Sequence, residues 1–238
     1  MRINVHAGHN PAGKAACGAV GLIQESVENR RVKDEVINQL RQLGHTVYDC
    51  TVDNGTGQKD VLQKIVQKCK LHDVDLDVSI HFNSGANDKS GNGKTTGTEV
   101  LVYSASSKAK GYAEKICAAI ARLGFKNRGV KVNASLYVLK NTKAPALLVE
   151  CCFVDDKDDV KLYNYYEMAS AIVYGITGQK LSTPSETAKA DTGEETTTGN
   201  PKALYRVQVG AYGVKANAEA MAEKLKRAGF TDAAIVQA

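Results

Sequence analysis

Apolar positions along the chain fall into short runs that alternate with stretches of helical spacing. Ile3–Val5 is a compact apolar run ending near Gly8 and His9, and it predicts a buried strand. Between Glu25 and Leu43, Val32, Val36, Leu40 and Leu43 recur every three or four residues and Gly44 follows. That spacing predicts an amphipathic helix with a glycine stop. Thr46–Tyr48 predicts a second strand, and Lys59–Leu71 a second helix through Val61, Leu62, Ile65 and Val66. Further strands are expected at Asp77–Phe82, Thr98–Tyr103, Leu136–Leu139 and Ala146–Glu150, with helices at Ala109–Leu123 and about Asp156–Ile176. This order predicts an α/β fold, a twisted and mostly parallel central sheet with helices on both faces. In open sheets of that kind, chemistry collects at the carboxyl ends of the strands.

The pattern stops at residue 180. From Ser182 to Ala203 no large apolar residue appears, and Thr, Ser, Glu and Pro dominate, so 180–202 is expected to be a flexible linker. Beyond it, Leu204–Val209 alternates as a strand, Ala216–Ala228 has helical spacing closed by Gly229, and Ala233–Val236 is a second strand. The expected organisation is therefore a main domain at 1–179, the linker, and a small βαβ unit at 203–238.

Composition narrows the class. Of 238 residues, 43% are hydrophobic and 24% charged, which excludes a disordered, collagen-like or disulfide-scaffold protein. The net charge of +5 suits an anionic partner, but without a basic run no nucleic-acid binding is expected. No stretch approaches the roughly 20 apolar residues of a membrane span, so no membrane insertion is expected. The N-terminus enters a strand at once, with no apolar core and cleavage site ahead of it. A chain made in the cytoplasm without a signal peptide is the expectation. The six cysteines, Cys17, Cys50, Cys69, Cys117, Cys151 and Cys152, form no CxxC pair and are expected to be reduced and buried.

Four polar residues stand where strands end or helices begin. His9 follows the first strand, Glu25 opens the first helix, and His81 closes the apolar strand SIHFN. Two imidazoles and one carboxylate are a usual zinc set that leaves a fourth position for water, although a histidine after a strand is also an ordinary structural residue. Glu150 ends the run Pro-Ala-Leu-Leu-Val-Glu. A carboxylate there is either a strand-end group reaching solvent or an Arg, or a buried group whose raised pKa suits a general base.

These residues sit in blocks that resemble the zinc-dependent N-acetylmuramoyl-L-alanine amidases of the amidase-3 family. AGHN, GLIQESVEN, SIHFN, GTEVLVY and SLYVLKNTKAPALLVECCFVDDKDDVKL match in the family's order and cover nearly all of 1–178. The resemblance implies that His9, Glu25 and His81 bind Zn2+ and that Glu150 is the catalytic base. It further implies hydrolysis of the amide joining N-acetylmuramic acid to L-alanine in peptidoglycan. Asn83, two residues past His81, would share its strand face and could orient a ligand or substrate. Two positions depart from the family pattern. His6 replaces an Asp three residues before the first histidine, and Asn10 replaces a Gly after it; His6 is not expected to be a ligand.

Residues 203–238 resemble the first half of a SPOR domain, a peptidoglycan-binding module. A unit that small rarely folds alone, so pairing of two copies into a homodimer is expected, with a truncated chain as the alternative. A wall hydrolase without a signal peptide is expected to be a bacteriophage endolysin that reaches the wall after release, ahead of a hydrolase freed by cell lysis. Three rivals remain: a cysteine hydrolase using Cys152 with His81, a non-enzymatic wall-binding protein on this scaffold, and a different zinc peptidase. His45 and His72 are expected to be solvated or capping residues, and Asp155–Asp159 to cap the last helix. The glycine-rich stretch Gly85–Gly97 lacks a phosphate-loop frame and is expected to be a mobile loop beside His81.

Overall fold

The computed structural model describes residues 1–181, together with positions 219, 221, 222, 234 and 235. The expected linker at 180–202 and the βαβ elements at 203–238 lie almost wholly outside the described residues. The chain divides into two compact units, Met1–Ala188 and Lys189–Ala238. No helix among the described residues is long and apolar enough to cross a membrane.

The first unit contains β1 (Arg2–Ala7), α1 (Glu25–Gln42), β2 (Thr46–Asp49), α2 (Gln58–Lys70), β3 (Leu76–Asn83) and β4 (Thr98–Val102). It continues with α3 (Lys110–Ala121), β5 (Asn127–Val132), α4 (Tyr137–Asn141), β6 (Ala146–Phe153), α5 (Lys157–Leu162) and α6 (Tyr165–Thr177). The strands form one sheet in the order β2-β1-β3-β6-β4-β5. Every pairing is parallel except β4 with β6, which is antiparallel.

Period-two alternation sorts the strand residues between two unequal layers. Ile3, Val5, Val78, Ile80, Leu147 and Val149 enter the larger core, packed with side chains of α1, α3 and α6. Ala146 and Leu148 point the other way, into a smaller core with α2 and α4. This second face also carries polar residues. Asn4 donates to Asp77 at 2.7 Å and to the Cys69 carbonyl at 3.0 Å, all buried beside α2.

Three expectations need correction. Leu136–Leu139 is the start of the short helix α4, because a brief apolar run without alternation fits a helical turn as well as a strand. The strand there is β5, unforeseen because NRGVKV is a polar edge strand with Gly129 at φ 78°. The last helix is two: α5 ends at Leu162, and Asn164 caps α6 by accepting from the backbone N–H of Tyr166 and Glu167.

The Asp155–Asp159 run does more than cap a helix. Asp156 caps α5 through the N–H groups of Asp158 and Asp159 and also accepts from Thr96. Asp155 accepts from the backbone of Gly85, Ala86 and Asn87, Asp158 from Asn92 and Gly93, and Asp159 from Gly97 and Phe153. The loop expected to be mobile is thus tied along its length, its backbone donors satisfied by carboxylates.

Asp77 gives the fold a pH dependence. Burial, only partly offset by Asn4 and the Cys69 thiol, raises its carboxyl from 3.8 to about 6. The folded pKa exceeds the unfolded one, so this contribution is full below about pH 4 and lost as pH rises through about 6. Asp77→Asn should therefore leave stability unchanged near pH 4 and raise it by up to about 3 kcal/mol at pH 8. Urea denaturation of both proteins at the two pH values measures this; an equal effect at both rules it out.

Candidate metal centre

Three side chains converge where β1 and β3 end and α1 begins. His9 Nε2 and His81 Nδ1 lie 3.3 Å and 2.9 Å from Glu25 Oε1. One ligand atom from each of His9, Glu25 and His81 falls within 4.8 Å of the others. The two imidazoles meet edge to face with centroids 4.9 Å apart.

Each residue is placed by its backbone. Glu25 is the first residue of α1, where a carboxylate is favoured by the helix dipole, and it is 3% exposed. Its Oε1 also accepts from the Phe82 N–H at 3.2 Å, and its Oε2 from the Ala19 N–H at 2.8 Å. Burial pushes its proton affinity up, but the hydrogen bonds and charges of His81 and His9 outweigh this and hold the carboxyl well below the usual range.

His9 adopts φ 63°, a strained conformation for a residue with a side chain. The turn is held from several sides. Arg30 Nη2 donates to the His9 carbonyl at 2.9 Å, and Asn29 Nδ2 to the Gly8 carbonyl at 3.0 Å. Asn10, buried, donates to the carbonyls of Ala15 and Gly55 and accepts from the Gly55 N–H, so the departure at this position fastens the turn to a second loop. Glycine is required at position 8, because a Cβ there would stand 2.0 Å from His81 Cε1.

His6 lies outside this cluster. It is fully buried on β1, its Nδ1 3.4 Å from Ser79 Oγ. Burial and the neighbouring His81 lower its pKa to about 3, so the ring is neutral.

Glu150 is the register partner of His81 on β3 and of Glu99 on β4. Burial, then the charges of Glu25 and Glu99, raise its carboxyl to about 8. Among the described residues, its buried Oε2 has no hydrogen-bond partner. Asn83 donates to Glu99 Oε1 at 3.0 Å, and Arg128 Nε donates to Glu99 Oε2 at 2.8 Å. The sequence reading missed Glu99, Arg128, Asn29 and Arg30 as site residues. A charged residue at Glu99, inside an otherwise apolar strand, was the available signal.

Strand alternation expects Cys152 on the Glu150 face, and the structure corrects this. His81 pairs with Glu150 but Asn83 pairs with Phe153, so β6 carries an extra residue there. Both Cys151 and Cys152 consequently enter the large core, at 0% exposure, with thiols held protonated by burial. A nucleophilic Cys152 is excluded by this arrangement.

The residues fit a zinc ion. Two imidazoles and a carboxylate converge as the donor set that leaves one position open, and an orphaned, buried carboxylate oxygen of Glu150 stands beside them.

Comparison with known proteins follows the same residues. A family model described as N-acetylmuramoyl-L-alanine amidase matches residues 3–178, and one for the SPOR domain matches 190–238, starting within the stretch expected as linker. An uncharacterized protein of Clostridium perfringens is 39% identical over 167 residues, covering 68% of this chain and 47% of that protein. The N-acetylmuramoyl-L-alanine amidase CwlM of Bacillus licheniformis is 30% identical over 165 residues, covering 68% and 57%. The solved catalytic domain of the CD27L endolysin targeting Clostridia Difficile has a TM-score of 0.67 at 28% identity, covering 76% of this chain and 99% of that one. The chain spans about half the length of the curated relatives it matches first. With the match running over all six strands and through His9, Glu25 and His81, the chain belongs to the amidase-3 family of N-acetylmuramoyl-L-alanine amidases.

Proposed function

We propose that this protein is a zinc-dependent peptidoglycan hydrolase that cleaves the amide between N-acetylmuramic acid and the L-alanine of the stem peptide. The observation that carries the reading is the pairing of the His9–Glu25–His81 cluster with the orphaned carboxylate of Glu150. Residues 1–179 form the catalytic part, and the segment after the 180–202 linker supplies a wall contact, in keeping with its SPOR match.

His9, Glu25 and His81 would hold the zinc, which when bound supplies Lewis-acid polarisation and lowers the pKa of water toward about 7. Glu150 is the proton carrier. Its pKa of about 8 would fall with a cation held in the neighbouring cluster, toward the range where a carboxylate takes a proton from water at neutral pH. The same carboxyl then returns the proton to the departing alanine amine, so no charge is left on the leaving group. Glu25, kept ionised, offsets the positive charge at the centre. Fixed side chains at this centre cost little reorganisation during reaction.

Action on the bacterial wall as an endolysin belongs to the same reading. Endolysins stand among the relatives, including one from Bacillus phage SPP1 that is 29% identical over 150 residues. Pairing of two copies through 203–238 is part of the same proposal. Sedimentation of the full chain should give a dimer; a monomer at every concentration overturns the pairing.

Mass spectrometry of digested peptidoglycan tests the reaction. The expected products are free stem peptides beginning at L-alanine, absent when a chelator is present and indifferent to thiol alkylation. Activity that survives chelation, or a different bond broken, defeats the assignment. Glu150→Gln should retain zinc and lose at least about 100-fold in turnover. Gly8→Ala should do the opposite at the first step: its Cβ collides with His81, so zinc content falls with activity. Full zinc occupancy in that variant would contradict the assignment of His81 as a ligand.

A further inference from the structure

The site extends beyond Glu150 along the sheet. His81, Glu150 and Glu99 are successive register partners on β3, β6 and β4. Glu99 then passes the row to β5 by accepting from Arg128 Nε at 2.8 Å, while Asn83 binds its other oxygen at 3.0 Å. Arg128 therefore ends a line of polar side chains that begins at the metal cluster.

Arg128 is held in place on more than one side. Its Nε is spent on Glu99, and its guanidinium lies over the Phe153 ring, 5.0 Å from the centroid. Phe153 reaches that position because the extra residue in β6 restores it, rather than Cys152, as the partner of Asn83. The two terminal amino groups make no hydrogen bond with the described residues, and the side chain is 32% exposed. A planar fork fixed at its base and open at its tip is suited to bidentate recognition of a carboxylate.

Position selects which carboxylate. Strands lie about 4.8 Å apart, so β5 stands about 10 Å from β6 across β4. A peptide residue advances the chain by about 3.5 Å, and a hydrogen bond adds about 3 Å. With the scissile amide at Glu150, a carboxyl on the residue after L-alanine falls within that reach. In peptidoglycan that second residue is linked onward through its side chain, and its α-carboxyl is either free or amidated.

We propose that Arg128 is a specificity-determining residue that binds the free α-carboxylate of the second stem residue, favouring non-amidated peptidoglycan. This rests on the amidase reading above. A neutral carboxamide presents an N–H toward the guanidinium and forfeits the charge-assisted pair, so amidated stems lose the contact.

The test compares two peptidoglycan preparations that differ only in amidation of that carboxyl, digested by the full chain with zinc. Wild-type kcat/KM should favour the free carboxylate by about tenfold. Arg128→Gln should bring the ratio to about one by losing rate on the free-carboxylate wall alone, and Arg128→Lys should keep part of the preference. Each ratio is taken with one sample of the enzyme on both walls, so any loss of folded protein cancels. A wild-type ratio of one, or a ratio that Arg128→Gln leaves unchanged, overturns the role of Arg128 while the amidase reading stands. Absence of muramoyl–alanine cleavage on both walls overturns the amidase reading and this proposal with it.

Discussion

One buried carboxylate organises the centre. Glu25 receives two imidazoles and two backbone N–H groups from separate parts of the chain: the turn after β1, the loop before α1 and the end of β3. A buried acceptor of that kind is stable only with its lone pairs satisfied, so these segments must arrive together or not at all. The strain of His9 at φ 63° and the requirement for glycine at position 8 both follow from packing two rings against that carboxylate. Arg30 and Asn29, one helical turn further along α1, hold the carbonyls of His9 and Gly8 and so tie that turn to the helix.

The unequal covering of the sheet explains why the centre is open. α1, α3 and α6 seal one face over a large core, whereas α2 and the short α4 cover the other near Asn4 and Asp77. Polar residues on this second face are buried in the first part of β1 and β3 and emerge toward the strand ends, where His81 and Glu150 stand. The loop after β3 is kept in place by the carboxylates of Asp155, Asp156, Asp158 and Asp159. Rigid walls of this sort hold the side chains at these strand ends with little reorganisation.

Much of this was legible in the chain because it rests on periodicity. β1, β3, α1 and α2 were read close to their observed bounds, since apolar residues fix their faces. His9, Glu25, His81 and Glu150 stood out as polar residues at element boundaries, and the structure brings the first three into one cluster with Glu150 across from His81. What escaped lacked such a signal. β5 is polar because it is an edge, and α4 is too short to show a period. Asn164 divides the last helix through side-chain capping that hydrophobic spacing does not register. Arg30 and Arg128 look like ordinary surface charges until the fold reveals which carbonyl and which carboxylate they meet.

The extra residue after Glu150 shows how a local irregularity can separate competing chemistries. Regular alternation would have placed the Cys152 thiol on the face of Glu150, beside the histidine cluster. A single inserted position sends both cysteines into the apolar core, where burial keeps the thiols protonated. It also brings Phe153 to the face where Arg128 lies over it. Since bulges re-aim side chains, the energetic cost of interrupting the ladder here is offset by two gains: thiols kept from the His9–Glu25–His81 cluster, and the Arg128 guanidinium held beside the row that Glu150 and Glu99 form.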